Sequence, residues 1–146
     1  MTAATIIHNK KPEFKGLKTF NELKGFLKRK NNVLLAFLFG SFATGKITPE
    51  SDIDIAVLFE KKPGLYETGD LKDDIESILK KEVDIAVLNE ATPILRMQVL
   101  KNGIVIYKSD EKHFNKFYTD TINQYYDLKQ TRKKCEDNIL RGRIYA

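Results

Sequence analysis

The chain has 146 residues, of which 42% are hydrophobic and 31% charged. This suits one domain around a single core and is too apolar for a disordered chain. Four prolines and eight glycines also exclude a collagenous or linker-like sequence. The net charge is +5, with the two signs segregated: Lys10 to Lys30 is mostly basic, whereas Glu50 to Glu90 is rich in acids. A basic end suits nucleic acid, an acidic protein or a polyphosphate, or simply a solvated surface, so charge alone names no partner.

In chain order, residues 1–16 read as an irregular leader broken by Lys10-Lys11-Pro12. Leu17, Phe20, Leu23, Phe26 and Leu27 recur at helical spacing and predict an amphipathic helix over 17–30. The apolar run Val33 to Phe39 predicts a buried strand bounded by Gly40. A short helix capped by Ser41 and a turn through Pro49 and Ser51 should lead to a second strand over 52–60. Lys61-Lys62-Pro63-Gly64 breaks it, and Leu71, Ile75 and Leu79 mark one face of a helix over 67–81. A third strand is expected over 82–88. Thr92-Pro93 then reads as the cap and first residue of a helix to about Leu100, and Ile104 to Tyr107 as a fourth strand. From Asp110 one long helix is expected, packed through Phe114, Tyr118, Ile122, Tyr125 and Leu128. Residues 131–146 form either a frayed end or a partner-docking tail. Alternation of strands and helices predicts an α/β (α+β) fold in a single domain over 1–146, with a small mixed sheet flanked by helices. No apolar run approaches the ~20 residues that span a bilayer. The one cysteine, Cys135, forms no internal disulfide, so the expected setting is a reducing cytoplasm without membrane. One cysteine and two separated histidines, His8 and His113, do not make a structural zinc site.

The pentapeptide Asp-Ile-Ala-Val-Leu occurs at 54–58 and again at 84–88. Both copies read as buried strands with a carboxylate near one end. Side-chain alternation puts Asp52 and Asp54 on one face, and neighbouring strands in matching register would bring Asp84 beside them. Aspartate is depleted in strands and like charges repel, so three together call for a divalent cation; an isolated Asp-x-Asp reads more readily as edge acids facing water or lysines. Gly40-Ser41, directly after the first strand, permits a sharp turn into a helix N-terminus, where free N–H groups suit an anion such as phosphate.

Gly40-Ser41, ten residues, then Asp52-Ile53-Asp54 resembles the Gly-Ser-x10-Asp-x-Asp signature of the polymerase-β-type nucleotidyltransferases. Val83-Asp84-Ile85-Ala86-Val87-Leu88 and the Leu-Arg-x-x-Val-Leu-x-x-Gly-x-x-x-Tyr run ending at Tyr107 are similar to its minimal nucleotidyltransferase branch. Many members of that branch are antitoxins encoded with HEPN-domain ribonuclease toxins. The resemblance implies that Asp52, Asp54 and Asp84 are catalytic and ligate two Mg²⁺ ions, and that Gly40 and Ser41 hold the triphosphate of ATP. It implies transfer of AMP to a tyrosine hydroxyl of the HEPN toxin, within a hetero-oligomer. Direct nucleic-acid binding is not expected. Members often carry Arg four residues after the motif glycine; here that position is Thr44, with Lys46 nearby. Two other readings stay open: an antitoxin that neutralises by covering its toxin, and a small-molecule nucleotidyltransferase of the aminoglycoside type.

Overall fold

A computed structural model describes residues 16–40 and 52–140 of the chain. Helix α1 (Gly16–Lys28) leads into β1 (Val33–Phe39); β2 (Ile53–Phe59), α2 (Leu65–Leu79) and β3 (Val83–Val87) follow. A single 3₁₀ turn (Leu88–Glu90), α3 (Pro93–Asn102), β4 (Ile104–Lys108) and α4 (Glu111–Leu140) complete the described chain. The four strands form one mixed sheet in the order β3-β2-β1-β4. Strand β1 is antiparallel to both β2 and β4, whereas β2 and β3 are parallel, with α2 as the crossover between them. The fold is the expected mixed α/β class, with a long last helix.

Strand alternation divides the core in two. Ile53, Ile55, Val57 and Phe59 of β2 face Leu23 and Leu27 of α1 and Leu71, Ile75 and Leu79 of α2. Leu35, Phe37 and Ala56 point the other way, onto Val99 and Leu100 of α3 and Phe114 and Phe117 of α4. Phe37 anchors that second layer, its ring 6.3 Å from Phe114 and 5.9 Å from Phe117. The expected stripe on α4 is therefore rotated. Phe114, Phe117 and Thr121 are its buried residues, while Tyr118, Ile122, Tyr125 and Leu128 are half-buried flanks. Phenylalanine at 117 wins the inner position because it closes on Phe37 while Arg96 covers its outer side, 5.7 Å from the ring.

Several boundaries move by one or two residues, each for a local reason. Gly16 belongs to α1, and that helix stops at Lys28, short of the expected 30. Helix α2 starts at Leu65 behind Gly64 and ends where Lys80 turns left-handed (φ 55°), before the expected 81. Leu88 leaves β3 for the 3₁₀ turn, which also ends that strand early. Thr92 caps α3 as expected, its hydroxyl accepting from the Leu95 N–H at 3.2 Å. Residues 1–15, 41–51 and 141–146 lie outside the described residues, and with them Ser41, Thr44, Lys46 and the expected short helix, leader and end of the tail.

Two asparagine side chains, with no apolar periodicity to announce them, tie strand ends at one pole of the sheet. Asn89 accepts from the Phe59 N–H at 2.9 Å and donates to the Phe59 carbonyl at 2.8 Å, continuing the β2–β3 pairing with a side-chain amide. Asn32 does the same for Lys61 at 2.9 and 3.0 Å. Asn89→Ala leaves both part-buried Phe59 groups unpaired and should cost about 2 kcal/mol, read as a lower urea midpoint at unchanged slope.

Candidate active site

The parallel register pairs the two Asp-Ile-Ala-Val copies residue for residue: Asp54 with Asp84, Ile55 with Ile85, Ala56 with Ala86, Val57 with Val87. Because Ile53, Ile55 and Val83 are buried against α1 and α2, Asp54 and Asp84 turn to the opposite face. Asp52, one residue before β2, has the same parity. Asp52 and Asp84 are exposed and Asp54 is half-buried. The next row on this face holds Phe37, Ala56 and Ala86, so the two central residues beside the acids are small.

Burial, and then the charges of Asp84 and Asp52, push the Asp54 carboxyl above the ordinary carboxylate range. The proximity read from sequence is thus present as mutual repulsion. Among the described residues, no three His, Cys, Asp or Glu side chains are set to hold a metal ion by themselves. An open set of acids that repel one another fits Mg²⁺, which keeps waters and takes substrate phosphate oxygens instead of an all-protein cage.

Gly40 follows β1, whose Phe39 is the antiparallel partner of Asp54. Its φ of +74° disfavours any side chain, and a Cβ there would overlap Asp54 Oδ2. The glycine is required twice over, for the turn and for the room that the carboxylate occupies. Ser41, its expected companion, lies outside the described residues. His113 pairs with Asp110 at 2.7 Å at the start of α4. That is beyond the Lys108 end of β4, at the opposite pole of the sheet from the acids. A cavity of about 480 Å³ lined by Lys30, Asn32, Val33, Phe59, Glu67 and Leu71 also lies at that far pole.

Arg96 stands in the Leu-Arg-x-x-Val-Leu run, whose spacing gives it no role. The structure gives it one. Its Nε donates to the Leu88 carbonyl at 2.9 Å, and its other nitrogens reach the Asn89 carbonyl at 3.4 Å and Gln124 Oε1 at 3.3 Å. It therefore fastens the end of the strand that carries Asp84 to α4.

The profile of the family described as polymerase beta, nucleotidyltransferase matches residues 21–112. The chain belongs to this family. Its closely similar relatives include the protein adenylyltransferase MntA of Aphanizomenon flos-aquae, 31% identical over 112 residues that cover 70% of this chain and 75% of that protein. A chain in the crystal structure of a toxin–antitoxin with AMP-PNP superposes with a TM-score of 0.68 at 28% identity, over 85% of this chain and 99% of that one. A chain in the complex of tri-AMPylated Shewanella oneidensis HEPN toxin with MNT antitoxin gives 0.64 at 27% identity, over 84% and 97%. No helix among the described residues is long and apolar enough to cross a membrane.

Two outcomes follow from the repulsion and the close approach. For an aspartate with a raised folded pKa, stability declines as pH rises from the unfolded value, near 4, through the folded one. Asp54→Asn should therefore raise the melting temperature of the metal-free nucleotidyltransferase at pH 7 by about 1–3 °C, a figure kept small by the group's partial exposure, and flatten the acid side of its stability profile. Gly40→Ala should lower the melting temperature, because it strains the turn and displaces the Asp54 carboxylate.

Proposed function

We propose that the chain is the Mg²⁺-dependent adenylyltransferase antitoxin of a toxin–antitoxin pair. It transfers AMP from ATP to a tyrosine hydroxyl of a HEPN ribonuclease toxin and so inactivates it in the cytoplasm. The observation that carries this reading is the direct pairing of Asp54 with Asp84 beside Asp52 and Gly40. It is supported by the similarity to proteins named protein adenylyltransferase and to antitoxin chains solved with a HEPN toxin and with AMP-PNP.

Asp52, Asp54 and Asp84 would hold two Mg²⁺ ions, and these supply charge neutralisation at the phosphates and a lowered pKa at the attacking hydroxyl. The remaining work falls to the chain. Gly40, with Ser41, binds the triphosphate through backbone and hydroxyl groups, the glycine letting the nucleotide approach closely. Asp84 lies on the outermost of the strands that carry the acids and faces solvent, so it meets the acceptor and orients its hydroxyl. The tyrosine oxygen forms a bond to the α-phosphorus as the bond to pyrophosphate breaks, and the phenol proton leaves through the carboxylates to water. A phenol, with a pKa near 10, gives up that proton more readily than an aliphatic alcohol does. The bulky anion left on the toxin would repel RNA phosphates.

Intact mass of the purified toxin after incubation with ATP, Mg²⁺ and a substoichiometric amount of this chain tests the reading. Addition of one or more adenylyl groups is expected. Asp52→Asn and Asp54→Asn should lose transfer by more than about a hundredfold, the upper cost of losing a mere supporting partner of a ligand. Asp84→Asn should lose turnover while AMP-PNP affinity changes little. Neutralisation that needs one antitoxin per toxin and no ATP would refute the enzymatic reading.

A further inference from the structure

Parallel pairing with β2 occupies only alternate residues of β3. The Ile53 N–H donates to the Glu82 carbonyl at 3.0 Å, which sets the phase. Residues 82, 84 and 86 turn their backbone groups toward β2, and residues 83, 85 and 87 turn theirs outward. The outward Val83 N–H is satisfied by Glu76 Oε2 at 2.9 Å. The N–H and carbonyl of Ile85 and the N–H of Val87 have no hydrogen-bond partner among the described residues.

Strand β3 is an edge of the sheet, and it contains no proline, no lysine and no register shift. A bare edge of this kind templates pairing with another polypeptide, and only a polypeptide in extended form presents donors and acceptors at the matching repeat. The edge also lies where an acceptor must arrive. Asp84 is on it, whereas β4, the other edge, is separated from Asp54 by β1. A strand added to β3 would run about 4.8 Å from it, with alternate side chains on the face of Asp54 and Asp84. Ala86, next to Asp84 on that face, leaves room for a large ring.

We propose that the acceptor protein binds by adding an extended segment to the edge of β3 that is unpaired among the described residues, as a further strand, with its acceptor residue on the Asp84 face. This rests on the reading that the acceptor is a protein. The occupant is the substrate polypeptide, not a second copy of this chain, because the edge borders the acids that the substrate hydroxyl must reach.

The test uses the full chain with its HEPN toxin partner, measured by amide hydrogen exchange and by intact mass. The Ile85 and Val87 amides should exchange at least about tenfold more slowly in the complex than in the free chain, as new main-chain hydrogen bonds require. Ile85→Pro removes an outward N–H, a change an edge strand tolerates, and should lower kcat/KM for the toxin about tenfold or more relative to Ile85→Ala, with AMP-PNP affinity unchanged. Equal exchange in the free and bound chain overturns the proposal, as does equal transfer by the two variants. Protection that depends on antitoxin concentration without toxin also overturns it, in favour of self-pairing. A toxin that is modified while these amides stay unprotected removes the docking mode and leaves the adenylyltransfer; protected amides beside an unmodified toxin do the reverse.

Discussion

Two carboxylates held side by side across one parallel strand pair are the constraint around which this molecule is arranged. Neighbouring strands lie about 4.8 Å apart, and the repulsion of two unit charges at such a spacing, partly in water, is roughly 1–3 kcal/mol. Four fully or nearly fully buried neighbours on the opposite face (Ile53, Ile55, Val57 and Val83) oppose it. Each contributes about 1.5–3 kcal/mol on burial, so the apolar side of the sheet wins. The sheet therefore forms with its acids in place, and the repulsion remains as an appetite for cations.

The surroundings serve that row. The crossover helix α2 makes β2 and β3 parallel, which puts both aspartates at the same end of the sheet. Strand β1 delivers Gly40 beside Asp54, and the missing side chain leaves the carboxylate its space. Below the row, Phe37 carries the two phenylalanines of α4. At the far end of β3, Asn89 binds the Phe59 carbonyl of β2, and Arg96 joins the Leu88 carbonyl to the Gln124 side chain of α4. The acids are presented by strands whose ends are pinned.

Much of this was legible in the residues. The twin Asp-Ile-Ala-Val-Leu segments pointed to adjacent strands in matching register, and the pairing of Asp54 with Asp84 agrees. Leu71, Ile75 and Leu79 face the core as their spacing predicts, and Thr92 caps α3. What escaped depends on partners far along the chain. Asn89 and Asn32 act through backbone groups about thirty residues away, and side-chain amides carry no periodic signal. Phe117 was passed over because the choice between 117 and 118 is made by Phe37 on another element. The half-bonded edge of β3 follows from strand order, which periodicity does not contain.

The placement of the acids on strands with a buried reverse side limits how the enzyme could be governed. Moving Asp54 or Asp84 by even a fraction of a turn would lift Ile53, Ile55 or Val83 out of the core, at several times the thermal energy. The row of acids is thus fixed by the core behind it, and under the proposed function a brake would act by gating the entry of nucleotide or acceptor.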